Sequence, residues 1–380
     1  MFEENYIFKI EKNYDLGKYV TFIPNEKLPI YNWFYFKEGF SRDFVIKFMD
    51  YFKLKEGDWI LDPFLGVGTT LLAAKEKGIN GVGIDAAPLA IFVSQVKTAN
   101  YEINELKEYA KNIFSEKFKK PSLASINPFI RKAFSKYSLE DIIFFREIIR
   151  KIENIKIKNF FTLALMKSAM DVSYAFKNGA VIKIFKKPVP PFRKYFKRIV
   201  KRMIKDIEKI NFKKCEMNIK LGDARKLDFL EDNFFNAIIT SPPYLNKIEY
   251  TKMYRIEYEL FFGHVKVDPI RSYIGLNLKN VKDIFPELNL PDIAKAYFYD
   301  MKMVLNEMYR VLKNNCKAAI VVAEGVFPNR IVESDMLLAK IAKDIGFDIE
   351  KIIVVNERVA TRERTIKIGK ARESIVILEK

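Results

Sequence analysis

The stretch TSPPY, residues 240–244, brings together groups that could hold an amine. It follows the apolar run FFNAIIT, and the paired prolines end any strand there because each lacks a backbone donor and fixes its own φ angle. The Ser241 hydroxyl and the Pro242 carbonyl can accept hydrogen bonds, while Pro243 holds that carbonyl in one direction and Tyr244 offers a ring for stacking. We therefore expect a rigid catalytic corner at the end of a strand.

An exocyclic amine of a nucleobase is a substrate that this corner would suit. Its lone pair is delocalised into the ring, so acceptors that hold the amino hydrogens would pull the nitrogen towards tetrahedral geometry, in line with a methyl donor. A base within a duplex cannot reach such a corner and would have to be flipped out or already unpaired. Taken alone, the same residues also describe a plain proline turn.

Three acids stand at the ends of predicted strands. Asp62 ends DWILD, Asp85 ends GVGID, and Asp223 follows the run MNIKLG. Because the carboxyl ends of parallel strands share one edge of a sheet, where open α/β folds bind ligands, we expect these acids to lie close together. Asp85 is placed to accept hydrogen bonds from a ribose diol, and Asp223 from an adenine amino group.

The turn FLGVGTT after Asp62 lets backbone amides approach a ligand at a helix N-terminus. A dinucleotide loop usually has a third glycine where this chain has Leu71, and an acid at Asp62 is badly placed beside a pyrophosphate. The same acid would suit a ligand that carries an ammonium or a sulfonium group. S-adenosylmethionine has both, and the loop predicts it as cofactor.

The elements that must position these residues form an α/β pattern. Strand, loop, helix, strand and helix follow one another up to residue 100, which is the opening of a doubly wound sheet. Seven strands are predicted in all, at 58–62, 81–85, 217–222, 234–240, 317–325, 348–359 and 373–380, with the last two able to form a hairpin. Helices are predicted at 71–78, 87–100, 138–155 behind a Ser138 cap, 192–210 and 292–315, and KNGAVIKIF predicts a small hairpin or strand after an Asn-Gly turn.

Residues 101–215 form a basic, mostly helical stretch. They contain 28 Lys and Arg against 11 Asp and Glu, so this segment holds nearly the whole net charge of +18. Such a surface suggests a phosphate-rich partner, although a solvated lysine-rich face of a heat-adapted protein would look similar. The predicted phosphate contacts lie on the helix FRKYFKRIVKR: Arg193, Lys194, Lys197, Arg198, Lys201 and Arg202.

The chain resembles the S-adenosylmethionine-dependent amino-methyltransferases of nucleic acids in four segments, which occur in the order DPFLGVGTT, GVGID, LGDAR and TSPPY. A fifth segment, YFKEGFS at 35–41, resembles the one that closes over the methionine end of the cofactor in that family. The resemblance implies a class I methyltransferase, Rossmann-like seven-stranded sheet, divided here as 1–100 for the cofactor half, 101–215 for an inserted recognition region, and 216–380 for the catalytic half. It implies that Ser241, Pro242, Pro243 and Tyr244 are catalytic. The cofactor-binding residues that it implies are Lys37, Gly39, Phe40, Ser41, Asp62, Pro63, Phe64, Gly66, Gly68, Thr69, Thr70, Asp85, Ala86, Asp223 and Ala224.

Ser241 at the head of its motif resembles the cytosine-N4 branch of the family, whereas aspartate or asparagine is usual in the adenine-N6 branch. DNA is slightly favoured as substrate, and structured ribosomal RNA stays close behind because no large DNA-recognition domain is evident outside 101–215. Two other classes stay open, a small-molecule methyltransferase and a binding module without turnover. Cytosine-C5 methylation is disfavoured, since neither Cys215 nor Cys316 follows a proline.

Composition excludes several other kinds of site. Two cysteines and one histidine, His264, leave almost nothing for a disulfide framework, a transition-metal site or a Ser/His triad. The N-terminal stretch is charged from its third residue and no run approaches membrane-span length, so we expect a cytoplasmic protein that does not associate with membranes. Three tyrosines follow the corner at helical spacing, and we expect them to pack in the protein rather than to line the base pocket: Tyr250, Tyr254 and Tyr258. The sequence does not predict an oligomeric state.

Overall fold

The computed structural model describes residues 8–178, 181–246, 253–263, 281–362 and 366–380, and a largely parallel sheet lies at its centre. In chain order the strands are β1 (Ile10–Lys12), β2 (Trp59–Asp62), β3 (Asn80–Asp85), β4 (Ala175–Asn178), β5 (Val181–Ile184), β6 (Met217–Leu221), β7 (Phe235–Thr240), β8 (Leu312–Ala323), β9 (Gly325–Phe327), β10 (Arg330–Val332), β11 (Asp348–Arg362) and β12 (Ile366–Glu379). Eight of them form the central sheet, in the spatial order β1-β11-β12-β8-β7-β2-β3-β6.

All seven predicted strands are present in that sheet, and the α/β fold class is confirmed. The number of strands is larger than expected, because β1 pairs in parallel with β11 at one edge. Three residues, IEK, are too few to carry a strand pattern. β12 lies antiparallel between β11 and β8, which makes the expected hairpin of the last two strands, and the described neighbours from β8 to β6 all pair in parallel.

Helices cover both faces of the sheet. They are α1 (Arg42–Tyr51), α2 (Thr69–Lys77), α3 (Pro88–Thr98), α4 (Ile103–Ser115), α5 (Pro128–Ala133), α6 (Lys136–Arg150), α7 (Ile155–Asp171), α8 (Phe192–Lys209), α9 (Arg255–Glu257, continued by a π-helical stretch Tyr258–Phe262), α10 (Asp292–Val311) and α11 (Ser334–Ile345). Alternate strand residues enter opposite cores. Ile238 packs with α10 and α11, and Ile239 packs with α1 on the other face.

The helices of 101–215 share a hydrophobic core with the cofactor half. Side chains of α6, α7 and α8 lie in one buried cluster with Val93 and Val96 of α3 and with Trp33. The Trp33 indole donates a hydrogen bond to the Asp206 carboxylate on α8, at 3.1 Å between Nε1 and Oδ2. The division of the chain at residues 100 and 215 stays a prediction, and the packing couples the two segments directly.

Some predicted element ends are shifted. The N-cap of α6 is Ser135, whose Oγ accepts from the Ser138 backbone amide at 3.1 Å, so Ser138 as the cap was wrong by one helical turn. α10 ends at Val311, four residues early, because the chain there turns directly into β8. The predicted hairpin after Tyr174 is formed by β4 and β5, which pair antiparallel.

Candidate active site

A cavity of about 480 Å³ lies at the carboxyl ends of β2, β3, β6 and β7. Its wall contains residues of the glycine loop, of the ends of the second and third predicted strands, and of the proline corner. The predicted site requires these segments to lie together. The predicted site residues that line it are Lys37, Pro63, Phe64, Gly66, Asp85, Ala86, Asp223, Ala224, Ser241, Pro242, Pro243 and Tyr244.

Asp85 organises the glycine loop from the next strand. Its Oδ2 accepts from the Gly66 amide and its Oδ1 accepts from the Ala87 amide, each at 2.8 Å. Gly66 has φ +52 and Gly68 has φ +81, and a Cβ on Gly68 would lie 2.8 Å from the Ser94 hydroxyl, so both positions favour glycine. Burial raises the pKa of Asp85 to about 6 against the effect of these amides. The carboxylate therefore both shapes the loop and faces the cavity.

Asp62 has a different place from the expected one. It is buried and does not line the cavity, and its oxygens accept from the Thr70 hydroxyl at 2.6 Å and the Thr240 hydroxyl at 2.7 Å, and from the Phe64 amide. Thr70 is the second residue of α2, and Thr240 directly precedes Ser241. Asp62 thus connects the start of α2 to the end of β7, and burial raises its pKa to about 6.

Asp223 lines the cavity and is held by a neighbouring arginine. The Arg225 guanidinium binds both carboxylate oxygens, at 2.6 Å for the Nη2–Oδ2 pair, and its Nη1 donates to Asp300 at 3.1 Å. The arginine fixes the rotamer of Asp223 and leaves it beside Ala224 in the cavity wall. A preorganised carboxylate at this strand end is suited to recognise a donor group of a ligand.

The proline corner presents acceptors to the cavity. The Ser241 hydroxyl donates to the Val321 carbonyl of β8 at 3.3 Å, so its proton is directed into the backbone and its oxygen lone pairs can accept from a substrate. Leu245, just beyond the corner, packs on Gly325, where an added Cβ would lie 2.6 Å from the leucine. The corner is therefore braced by β8 and β9.

Tyr244 is oriented by the last strand of the sheet. Its hydroxyl donates to the Glu373 carboxylate on β12 at 2.8 Å, and Glu373 also accepts from the Asn356 amide of β11 at 3.0 Å. Glu373 itself lines the cavity. The Tyr244 ring is therefore held in place at its hydroxyl end, next to the cavity.

Tyr254 and Tyr258 are buried in the large hydrophobic cluster, as the expected packing role requires, and both also line the cavity. Tyr250 lies outside the described residues. Tyr254 stacks on Phe36 with ring centroids 5.9 Å apart, and its hydroxyl donates to Glu38 at 3.3 Å. Burial raises the pKa of Glu38. Tyr254 and Tyr258 therefore add aromatic surface to the cavity wall.

The sequence patterns do not point to several charged residues of the wall. Glu38, Lys177, Arg358 and Glu373 line the cavity from segments far apart in the chain. Glu38 lies inside the YFKEGFS segment, which was the one available signal. For the other three, a lone charged residue on a strand carries no motif, and only the tertiary fold brings it to the site.

Other predicted site residues lie outside the cavity wall. Ser41 caps α1 by accepting from the Phe44 amide, and Phe40 is buried under that helix. Gly39, Gly68, Thr69 and Thr70 do not line the cavity either. On α8, Arg193 pairs with Asp141 at 2.8 Å and lies over the Phe118 ring. The remaining five are exposed on that helix and do not contribute to the cavity: Lys194, Lys197, Arg198, Lys201 and Arg202.

No group of His, Cys, Asp and Glu side chains in the described ranges could hold a metal ion, and His264 lies outside them. In the same ranges, none of the helices combines the length and the apolar character that a bilayer crossing needs.

Comparison with known proteins gives consistent matches. The N6/N4 methyltransferase family model, described as DNA methylase, matches residues 52–122. The type II methyltransferase M.BsoBI of Geobacillus stearothermophilus is 27% identical over 100% of this chain and 91% of its own length. M.AvaI of Nostoc sp. is 26% identical over 89% of this chain and 83% of that protein, and M.MjaII of Methanocaldococcus jannaschii is 24% identical over 73% and 70%.

Fold, site and relatives together define the class: the chain is an S-adenosylmethionine-dependent methyltransferase. More closely, it is similar to amino-methyltransferases of nucleic acids, through the family model over residues 52–122 and the type II methyltransferases at 24–27% identity.

The residues of the cavity fit the cofactor. The volume lies in the range of ligand pockets, roughly 300–1,000 Å³. Asp85 and Asp223 line it as carboxylate acceptors, while the half-buried Glu38 stands in the segment expected over the methionine end. Asp62 was expected to face the cationic group, but it has protein donors on both oxygens and lies outside the wall, so Glu38 is the better-placed acid.

Proposed function

We propose that this protein transfers a methyl group to the N4 amine of cytosine in DNA. The observation that carries the proposal is the shared cavity: the Ser241–Tyr244 corner and the cofactor-binding residues Gly66, Asp85 and Asp223 line the same space of about 480 Å³. A donor and an amine can then lie side by side without a large rearrangement of the sheet.

The side chains of the corner have separate tasks in this reaction. Bound S-adenosylmethionine supplies an electrophilic methyl group. The Ser241 oxygen and the Pro242 carbonyl accept hydrogen bonds from the two amino hydrogens, which orients the amine and draws its lone pair out of the plane of the base. The amine loses one of these hydrogens as a proton when it is methylated. Tyr244 stacks on the base, and the Tyr244–Glu373 hydrogen bond keeps the ring in register with these acceptors.

DNA is favoured over RNA by the comparisons. The matching family model is described as DNA methylase, and the relatives are named type II methyltransferases. Cytosine is favoured over adenine by Ser241 at the head of the motif, which resembles the cytosine-N4 branch. Adenine-N6 methylation of DNA and cytidine-N4 methylation of ribosomal RNA are the alternatives.

The test is a product analysis. The protein is incubated with radiolabelled S-adenosylmethionine and with separate pools of DNA and ribosomal RNA, and the polymers are then digested to nucleosides. We expect label in N4-methyldeoxycytidine from DNA. Label in N6-methyladenine, or in RNA only, would overturn the proposal.

Two variants connect the product to the corner. Ser241→Ala removes one amine acceptor, and we expect turnover to fall by about 10²-fold while cofactor affinity stays within twofold. The matched control is Ser122→Ala, a serine on an exposed stretch outside the cavity, which should leave both unchanged. Equal activity of Ser241→Ala and the wild-type protein would remove the serine from the mechanism.

A further inference from the structure

The hairpin of β4 and β5 leaves an unusual amount of apolar surface in solvent. Phe176, Val181 and Phe185 are 57%, 57% and 58% exposed. Phe176 pairs across the hairpin with Lys183, and Phe185 continues the ladder through a 2.8 Å bond from its amide to the Tyr174 carbonyl. Because side chains alternate along a strand, Phe176, Lys183 and Phe185 stand on the same outer face of the hairpin.

The inner face of the hairpin belongs to the active site. Lys177 lines the cavity, pairs with the buried Glu257 at 2.5 Å, and lies 4.2 Å from the centre of the Tyr254 ring. Ile182 and Ile184 pack against the large core on the same side. Phe176 on the outer face directly precedes the cavity-lining Lys177, so the outer face is the opposite side of a strand that contributes to the cavity wall.

The surroundings of the apolar side chains are basic. Lys183, Lys186 and Lys187 are exposed, and the sequence from Val172 to Lys187 contains no acid. Exposed rings among lysines fit a polyanion that also offers flat apolar surfaces. Nucleic acid has both, with phosphates on the outside and base faces wherever the stack is opened.

We propose that the outer face of this hairpin contacts the DNA base stack beside the target, with Phe176 and Phe185 against the bases that lose their neighbour when the target enters the cavity. The proposal rests on the proposed function. Turning one base out costs a few kcal/mol of unstacking and unpairing, and apolar side chains that cover the opened step offset part of that cost. Lys183 is placed to bind the adjoining phosphate.

The test separates base opening from chemistry. The target sequence is first mapped in DNA that the wild-type protein has methylated. Matched duplexes, and duplexes in which the target base is mispaired, are then methylated by wild-type protein and by the Phe176→Ala/Phe185→Ala double variant. We expect the variant to lose about tenfold or more on the matched duplex and less than threefold on the mispaired one, where the opening cost is already reduced.

The control is Tyr137→Ala, which removes an aromatic side chain that is 79% exposed on α6. It should leave both substrates unaffected, and all the variants should bind S-adenosylmethionine like the wild-type protein. An equal loss on matched and mispaired duplexes, or no loss on either, would overturn the proposal. Failure of the proposed function is a distinct result, because the wild-type protein would then yield no methylated DNA in which to map a target, or the mapped methyl group would lie on adenine.

Discussion

Asp62 and Asp85 end neighbouring parallel strands, yet they have different partners. Asp62 holds two threonine hydroxyls below the cavity floor, and Asp85 holds two backbone amides in its wall. The ends of the strands can be predicted from the sequence, and the prediction that three acids lie at one edge of the sheet is correct. Which of these acids faces the ligand depends on rotamers and on Thr240, a residue that belongs to another motif.

Cofactor affinity should depend on pH through Asp85. The pKa of this carboxyl is raised to about 6, so it is mostly protonated at pH 5 and mostly ionised at pH 7.5. An ionised carboxylate accepts hydrogen bonds from ribose hydroxyls better than a protonated one, and we expect the Kd for S-adenosylmethionine to be up to about tenfold higher at pH 5. Isothermal titration calorimetry at the two pH values measures the difference.

Two variants assign this effect. Asp85→Asn should bind more weakly at pH 7.5 and lose most of the pH dependence, whereas Asp62→Asn should keep it, because Asp62 does not line the cavity. Unfolding at pH 5 would not explain weaker binding. A carboxyl whose folded pKa lies above its unfolded value takes up protons on folding, so its effect on stability is most favourable below pH 4 and worsens as pH rises through 6. An unchanged pH profile in Asp85→Asn would contradict the assignment.

The residues of the wall that the sequence patterns do not indicate are isolated charges. Glu373 lies 129 positions from Tyr244, to which it is hydrogen bonded. Arg358 and Lys177 lie on strands that have no motif of their own. A motif indicates side chains that lie at a fixed spacing along the chain. The positions of these three charged residues in the cavity wall depend instead on strand order and register, which a motif does not contain.

At the scale of elements, the regular parts of the fold follow from sequence and the short parts do not. Apolar runs such as FNAIIT predict buried strands of the parallel sheet, and positive-φ Gly78 ends α2 as expected. β1, β9 and β10 have three residues each, which is too short for a period to appear. α11 also lies outside the predicted elements, although its apolar residues recur at helical spacing.

The exposed basic face of α8 leads to a prediction about DNA binding. Its apolar face is buried in the core, and Lys197 and Lys201 are exposed on the opposite side. If this face binds DNA phosphates, replacing both lysines by glutamine should weaken binding at low salt and reduce the slope of log Kd against log salt by up to about 2. Fluorescence anisotropy with a labelled duplex over a range of salt concentrations gives the slope.

The matched control replaces two exposed lysines of the sheet half, Lys47 on α1 and Lys302 on α10, by glutamine. The total charge changes equally, so a purely long-range effect would appear in both variants. A slope reduced to the same extent in the control would show that the location of the charge on α8 is unimportant.

At the scale of the whole molecule, the basic helices and the cofactor half pack as one body, because they share a core. The chain has two tryptophans, and their fluorescence probes two regions of the fold. Trp33 lies in the shared core, and Trp59 lies on β2 beside Phe234. In urea we expect the fluorescence of Trp33→Phe and of Trp59→Phe each to change together with the far-ultraviolet circular dichroism, in a single transition.

Trp33→Phe should also be destabilised by about 1–3 kcal/mol, because it removes the indole donor from the buried Asp206 carboxylate. Trp59→Phe removes no side-chain hydrogen bond within the part of the chain that the structure describes, and it serves as the comparison. Two separate transitions, with the helices melting apart from the sheet, would contradict the shared core.

β12, which carries Glu373, follows every other strand of the central sheet along the chain but lies between β11 and β8 in space. A ribosome therefore makes the cofactor loop, the proline corner and the basic helices before the strand that completes the interior of the sheet. The nascent protein cannot orient Tyr244 until that strand inserts, so methylation should begin only after translation has passed residue 379.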